Sequence, residues 1–394
     1  MGLRRALLFA LPFVTVVAQA GPPSAPPAWA TSTASPRPGV VDDPQDAPVG
    51  KVCGGGLDVA LTTVARELAQ LLALEGHLPD AQEIEWRQRK AGNPHVWART
   101  FGAQVQGAKL DRAAIAKDVT TWLGAMGKRA RCGVASLRTG SGATSKEVMA
   151  VIAIDPVADL AAVPTRAKVG AWIDLDTTLS NGGTSGRVVL LPPIGAPKTI
   201  LSSTSSDIIP HVKTRFSLAT VGRYVVQVLA DDGAGPRPMI EAEIWAGLEP
   251  PTEKPSSAVP GEDAGEGKSD PAEALLGRLN GARAAEKIPA VVRDKTLDKV
   301  ALAHANAMLK AKLLGHDVGD GDPAARVAAV SVVKWKVLGE NVAKAKSDKS
   351  AHRALYASPS HRANMLDARF TKVGIAVVID PKTSDLWVAQ MYGG

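Results

Sequence analysis

No stretch of this 394-residue chain interleaves Lys or Arg runs with aromatic side chains, and Phe, Trp and Tyr together make up only 4% of it. That absence argues against a nucleic-acid partner, whose bases stack on such rings between basic contacts. Past residue 20 no apolar run is long enough to span a bilayer, so no transmembrane segment is expected in the mature chain. Cysteine occurs only as Cys53 and Cys132. In an exported chain an even pair is most simply a disulfide, worth about 4 kcal/mol in the chain-entropy model. Two buried thiols are the alternative, and a zinc site built on two cysteines lacks identifiable partner ligands. No cysteine follows the N-terminal apolar segment, so no lipid-anchor site is present there.

What is present starts with Arg4-Arg5, an apolar stretch from Ala6 to Ala18, and the small-x-small triplet Ala18-Gln19-Ala20. These three features make residues 1–20 a signal peptide, with an uncleaved anchor as the alternative. The chain is therefore expected to be exported: periplasmic, cell-surface or secreted. The net charge of +7 is uneven, because residues 271–394 alone hold 19 Lys and Arg against 12 Asp and Glu. A basic surface attracts anionic polymers and lipid head groups, although a solvated lysine-rich face has the same composition.

The length suggests two to four domains, and the composition shifts place them. Residues 21–50, rich in Pro, Ala, Ser and Thr, read as a disordered tether, and 249–270 as a linker with too little apolar surface to fold. Between them, residues 51–160 carry helical periodicity over 57–75 and 111–126, then strand-like Cys132–Leu137 and Val148–Ile154. This predicts a small α+β domain. Residues 163–247 change to short strands separated by Gly, Pro, Ser and Asp, which predicts an all-β sandwich. Gly222-Arg223-Tyr224 is similar to the late-strand signature of immunoglobulin-like modules. The expected fold class is multidomain α+β, with a third domain at 271–394 whose helices (274–282, 294–313, 348–357) precede two closing strands.

Chemistry concentrates in that third domain. His316, Gly339-Glu340-Asn341 and Ser358-Pro359-Ser360-His361-Arg362-Ala363-Asn364 occur in order, each beside a turn-former. Loop ends can aim such side chains into one cleft. His316, His361 and Glu340 are the candidate metal ligands, and Glu340 is a weak candidate for a catalytic base. Asn341, Arg362 and Asn364 are expected to position loops. His304 falls on an apolar helix face and reads as a core histidine. Ser358 and Ser360 lack the strained elbow of a nucleophile.

Together with Leu279-Asn280-x-x-Arg283, Gly315-His316, Val373-Gly374-Ile375-Ala376 and the terminal strand, these motifs resemble the bacterial branch of the CAP superfamily, the cysteine-rich secretory protein/antigen 5/pathogenesis-related-1 or SCP domains. The resemblance covers residues 271–394. It implies an α-β-α sandwich whose cleft is lined by two histidines and two acidic residues and can hold Zn2+ or another divalent metal. His316, His361 and Glu340 match three of these positions. The stretch 351–357, where many members supply the second glutamate, has no carboxylate. The expected function is an exported binding protein for a lipid, glycan or protein of the cell envelope. A zinc-dependent hydrolase of peptide or envelope polymer and an inert structural component are the alternatives. Arg131-Cys132-Gly133-Val134-Ala135 also echoes Lys372-Val373-Gly374-Ile375-Ala376, which raises the prospect of a second, degenerate copy of the fold in 51–160.

Overall fold

The computed structural model describes residues 28–231, 236–255 and 258–394, so the signal-peptide reading of 1–20 lies outside the described residues. In chain order the elements are β1 (Ser32–Ser35), α1 (Ala47–Gly50), α2 (Val59–Glu75), α3 (Ala81–Lys90), β2 (Arg99–Gln106), α4 (Arg112–Leu123), β3 (Arg131–Thr139) and β4 (Lys146–Ile154). Next come β5 (Ala158–Pro164), β6 (Arg166–Ala167), β7 (Trp172–Leu191), β8 (Lys198–Ser217), β9 (Gly222–Asp231) and β10 (Pro236–Ala246). The last domain holds α5 (Pro271–Ala285), β11 (Val292–Arg293), α6 (Lys295–Ala311), α7 (Pro323–Val330), β12 (Leu338–Ala345), α8 (Asp348–Ala357), α9 (Pro359–Met365), β13 (Lys372–Ile379) and β14 (Leu386–Gly393). None of the described helices is long and apolar enough to cross a membrane.

The C-terminal domain is built around the sheet β11-β13-β14-β12. Helix α6 starts at Asp294, whose carboxylate accepts the amide protons of Thr296 and Leu297, a side-chain cap for otherwise unpaired donors. Its stripe of Leu297, Val300, Ala301, Ala305 and Met308 packs against Val342, Ala376, Trp387 and Ala389. On the opposite face α5, α8 and the loop after α9 bury Leu275, Leu279, Leu355 and Phe370 against Val373, Ile375 and Val388. The expected sandwich is thus present, with one helical layer on each face of the sheet.

The first domain repeats this plan. Its sheet runs β2-β4-β3, matching β12-β14-β13, and helices and strands follow in the same order, α2-α3-β2-α4-β3-β4 against α6-α7-β12-α8-α9-β13-β14 with α9 added. Asp58 caps α2 through Ala60 and Leu61 as Asp294 caps α6, and both helices have 17 residues. Leu57 pairs in parallel with Cys132, as Arg293 does with Val373. The tightest correspondence is steric. A Cβ added to Gly374 would lie 2.0 Å from the backbone carbon of Leu297, and one added to Gly133 would lie 2.0 Å from that of Leu61. Each glycine lets a helix rest directly on its strand. Across the two sheets, Thr100, opposite Ile152, occupies the register of Glu340, opposite Met391. The first copy of the arrangement therefore carries no acid at that place.

Cys53 and Cys132 form a disulfide in this first domain. At a sequence separation of 79, reduction is expected to cost about 4 kcal/mol by releasing the unfolded chain. Urea unfolding with and without dithiothreitol should show the loss in the first domain and leave the C-terminal transition in place.

The central domain corrects the expectation of a two-sheet immunoglobulin-like sandwich. Its strands form one sheet, β1-β5-β7-β9-β10-β6, with β8 hairpinned on β7. The continuous segment β5–β6 pairs with β7 through its first half and with β10 through its second, so the sheet curls almost shut on itself. Strand β7 helps by switching partners, from β5 at Thr177–Leu179 to β9 at Ser185–Leu191. Inside lie Leu160, Leu175, Val188, Phe216, Val226, Val228 and Ile244. Tyr224 still makes a tight corner, its hydroxyl accepting the Thr220 amide proton at 2.8 Å and contacting the Thr220 carbonyl at 3.2 Å.

Neither segment read as unstructured behaves so over its described residues. Ser32–Ser35 pairs with β5, and Trp29 is buried against Trp86 and Trp245. The isolated Trp and a four-residue strand give too little periodicity to outweigh the Pro-rich composition. In the linker, Gly261 and Gly265 lie against Gly281 and Gly277 of α5, contacts that side chains would block. Glu262 then binds Arg353 at 2.7 Å and Lys349 at 2.9 Å, and the Pro260 carbonyl meets the His352 ring at 2.9 Å.

A buried histidine sits where the first domain meets the central sheet. His95 bridges to Ile240 and contacts Ser35 Oγ at 2.7 Å. Burial, reinforced by the nearby Arg131 charge, pushes its pKa down to about 3 from 6.5. The unfolded chain binds the proton first, so stability is lost as pH falls from about 6.5 towards 3. The urea midpoint should drop between pH 7 and pH 4.5, and His95→Asn should flatten that dependence.

Candidate functional site

Glu340 stands on the edge strand β12, not in a turn as its Gly339 neighbour suggests. Pairing with Met391 fixes its direction, and its side chain is fully buried on the α6 side of the sheet. Gly339 is small because the Phe370 ring occupies the space a Cβ would need, 2.7 Å away. The loop after α6 brings His316 back, and its Nδ1 lies 2.9 Å from Glu340 Oε1. The second carboxylate oxygen, Oε2, accepts from Arg326 on α7. Arg326 also donates to the His316 carbonyl at 2.7 Å and to the Gly321 carbonyl. His304 is fully buried between Asp320 at 2.8 Å and the Gly315 carbonyl at 2.9 Å, with Glu340 at 3.7 Å. It is a partnered core histidine that braces the loop carrying His316.

His361 lies in helix α9, where a turn was expected; Pro359 at the first helical position starts that helix. Its ring has no hydrogen-bond partner among the described residues. Burial, with the neighbouring His316 charge in second place, pushes its pKa down to about 3, so the ring is neutral at ordinary pH. Asn341 points to the other face from Glu340 and donates to the His361 carbonyl at 3.1 Å. Asn364 donates to the Glu340 carbonyl at 3.1 Å and to Asn341 Oδ1 at 2.9 Å. Two asparagines thus tie α9 to β12. Arg362 stacks 4.1 Å over the Tyr356 ring and lies 3.6 Å from Glu286.

Three further contributors were not singled out as site residues, and only Arg283, in Leu279-Asn280-x-x-Arg283, belongs to a quoted motif. Arg326 sits in an Ala- and Val-rich segment whose only helix signal is Asp322-Pro323, the cap and first position of α7. Arg283, fully buried, donates to the carbonyls of Pro289 (2.7 Å), Met365 (2.9 Å), Asp367 (3.0 Å) and Phe370 (3.0 Å), clamping the chain that leaves α9. Gln227 comes from the central sheet. Its amide oxygen accepts the Ser360 backbone proton at 3.0 Å and its nitrogen donates to Ser358 Oγ at 3.2 Å, capping α9 from a different domain. The same nitrogen donates to Glu241 at 2.5 Å, and Arg89 of the first domain binds both Glu241 and Glu243. Burial opposes the charge of Glu243, yet Arg223 and Arg89 outweigh it and hold that carboxyl at about 2. A buried polar chain therefore links all three domains to the helix bearing His361.

Residues 276–392 match the family model described as the cysteine-rich secretory protein family, CAP. The C-terminal domain is a CAP domain. Solved structures similar to parts of the chain include an outer surface protein from Borrelia burgdorferi, at 18% identity over 32% of this chain and 92% of that one, with a TM-score of 0.30. An extracellular protein containing an SCP domain from Bacillus anthracis matches at 18% identity over 45% of this chain and 66% of its own, TM-score 0.29. A cysteine-rich secretory protein from Staphylococcus aureus matches at 12% identity over 61% and 82%, TM-score 0.26. No curated protein matches the chain.

The CAP resemblance implies a divalent metal between two histidines and two acids. The residues of this CAP domain do not fit one as they stand. Both oxygens of Glu340 are taken, by His316 and Arg326. Among the described residues no three His, Cys, Asp or Glu side chains are grouped so as to hold an ion.

Proposed function

We propose that the chain is an exported binding protein that presents its CAP cleft to a lipid, glycan or protein of the cell envelope, and that the cleft does not hydrolyse what it holds. The observation that carries this reading is the pairing of Glu340. It is the carboxylate the motifs offer as a base, and each of its oxygens is bound, one by His316 and one by Arg326. A general base must be free to reach the proton it takes. The neutral ring of His361, without a hydrogen-bond partner among the described residues, remains as the group a ligand can meet. The basic balance of residues 271–394 adds attraction for anionic envelope components. The first and central domains serve as a rigid mount, joined to α9 through Gln227.

The test is a lipid and glycan array with the wild-type chain and with His361→Ala, alongside peptide and envelope-polymer hydrolysis assays. Binding that falls at least about ten-fold in His361→Ala while the fold is kept, with no turnover by either protein, is the expected result. Hydrolysis that disappears in Glu340→Gln would refute the reading.

A further inference from the structure

We infer that Arg326 is the built-in cation of the CAP cleft: its guanidinium holds the place against Glu340 that a divalent ion would need, so the native domain takes up no metal. The inference concerns the cleft's composition and stands whether or not the binding reading is right.

Three features of the geometry carry it. First, both carboxylate oxygens already have partners. Glu340 Oε2 meets Arg326 Nη2 and Oε1 meets His316 Nδ1 at 2.9 Å, so the imidazole nitrogen nearest the acid is spent as a donor to it. A zinc ion would have to come within about 2.0–2.2 Å of an oxygen that already holds a guanidinium proton. A second cation on that oxygen would sit against the guanidinium charge in a site where Glu340 is fully buried, and that repulsion disfavours it.

Second, the guanidinium is fastened to the cleft wall. Arg326 donates to the carbonyls of His316 and Gly321, the loop that delivers the first histidine. Its side chain is 7% exposed. Asp322 accepts the Ala325 amide proton at 2.9 Å and Pro323 opens the helix, so α7 itself fixes where Arg326 starts. Asp320, 3.6 Å from Arg326, bonds His304 with its other oxygen, so the second acid near the cleft is also committed inside the protein.

Third, the charge of Glu340 is offset without an ion. A site with two free carboxylates carries a negative charge that draws in a divalent cation. Here one arginine neutralises Glu340, and no carboxylate occurs in 351–357, the stretch preceding α9. Arg326 thus does structurally what a metal would do, joining the 315–322 loop to β12. This assigns Arg326 as a positioning residue.

The full-length chain should be compared with Arg326→Met in zinc-free buffer, using zinc ion as the probe. Equilibrium dialysis should find no stoichiometric zinc on the wild type and no zinc-dependent rise in its Tm. Arg326→Met should melt lower, take up about one equivalent of zinc, and lose it again when His316→Ala is added. Stoichiometric zinc on the wild type that Glu340→Gln removes would overturn the inference, as would a folded Arg326→Met that still ignores zinc. A measurement on the wild type covers the case in which Arg326→Met does not fold. Its Arg326 guanidinium protons should be protected from exchange and unmoved by excess zinc in 15N-resolved NMR, and their release by zinc would equally overturn it.

Discussion

Gly374→Ala should destabilise the CAP domain by at least about 3 kcal/mol, and Gly133→Ala should do the same to the first domain. The added methyl would start 2.0 Å from the backbone of Leu297 in one case and of Leu61 in the other. Neither neighbour is a flexible side-chain end. Each is helix backbone held by a capping aspartate at its N-terminus, so relief requires moving α6 or α2 off its sheet. That movement uncovers Leu297, Val300 and Ala301 in the CAP domain or Leu61, Val64 and Ala65 in the first domain. Urea unfolding followed by limited proteolysis separates the two transitions. Equal losses in the matching domains would show that the duplicated geometry has the same energetic content, whereas a neutral Gly133→Ala would show that the first domain's helix sits more loosely than its partner.

Arg283→Met should cost about 4 kcal/mol, the second large effect. Four carbonyls of one buried clamp lose their donor together, and an unpaired buried acceptor costs about 1–3 kcal/mol. Burial alone already disfavours the arginine's charge, so the clamp persists because its hydrogen bonds offset that penalty. Arg283→Lys should recover little, since a single ammonium cannot reach carbonyls spread from Pro289 to Phe370 in the planar fork a guanidinium provides. The loss should appear as a lower urea midpoint for the CAP domain and as early proteolysis in the 365–370 segment. An Arg283→Lys protein as stable as the wild type would show that charge rather than the fork matters.

Much of the CAP domain was legible because its signals are local. Asp294 before an apolar helical stripe and Gly374 inside a β-branched run each encode their own geometry, whereas Pro359 before His361 read as a turn and opens helix α9. Glu340 and His316 were legible as a pair of chemical types, but their contact depends on the 312–322 loop folding back. Arg326 was illegible for the same reason: its partners, Glu340 and two loop carbonyls, are brought together by tertiary structure, and α7 offers little amphipathic pattern. Strand β2, Arg99-Thr-Phe-Gly-Ala-Gln-Val-Gln, was missed because it is a weakly apolar, half-exposed edge. In the central domain the strands were readable and their closure was not. The deciding pairings, β6 with β10 and the partner switch in β7, involve a two-residue strand and a Gly/Ser-rich stretch that read as a turn. The capping of α9 by Gln227 belongs to the same class, a long-range bond from an otherwise ordinary strand position.

A cleft that needs no metal must have its acid neutralised from within. A double-mutant cycle joining Arg326→Met and Glu340→Gln, read by urea unfolding of the CAP domain, measures this directly. Each single change leaves one buried charged partner alone, and the coupling between them should be about 3 kcal/mol, with the double variant more stable than Arg326→Met. Coupling below about 0.5 kcal/mol would mean that Glu340 is balanced by something other than Arg326, and the picture of a self-contained cleft would be wrong.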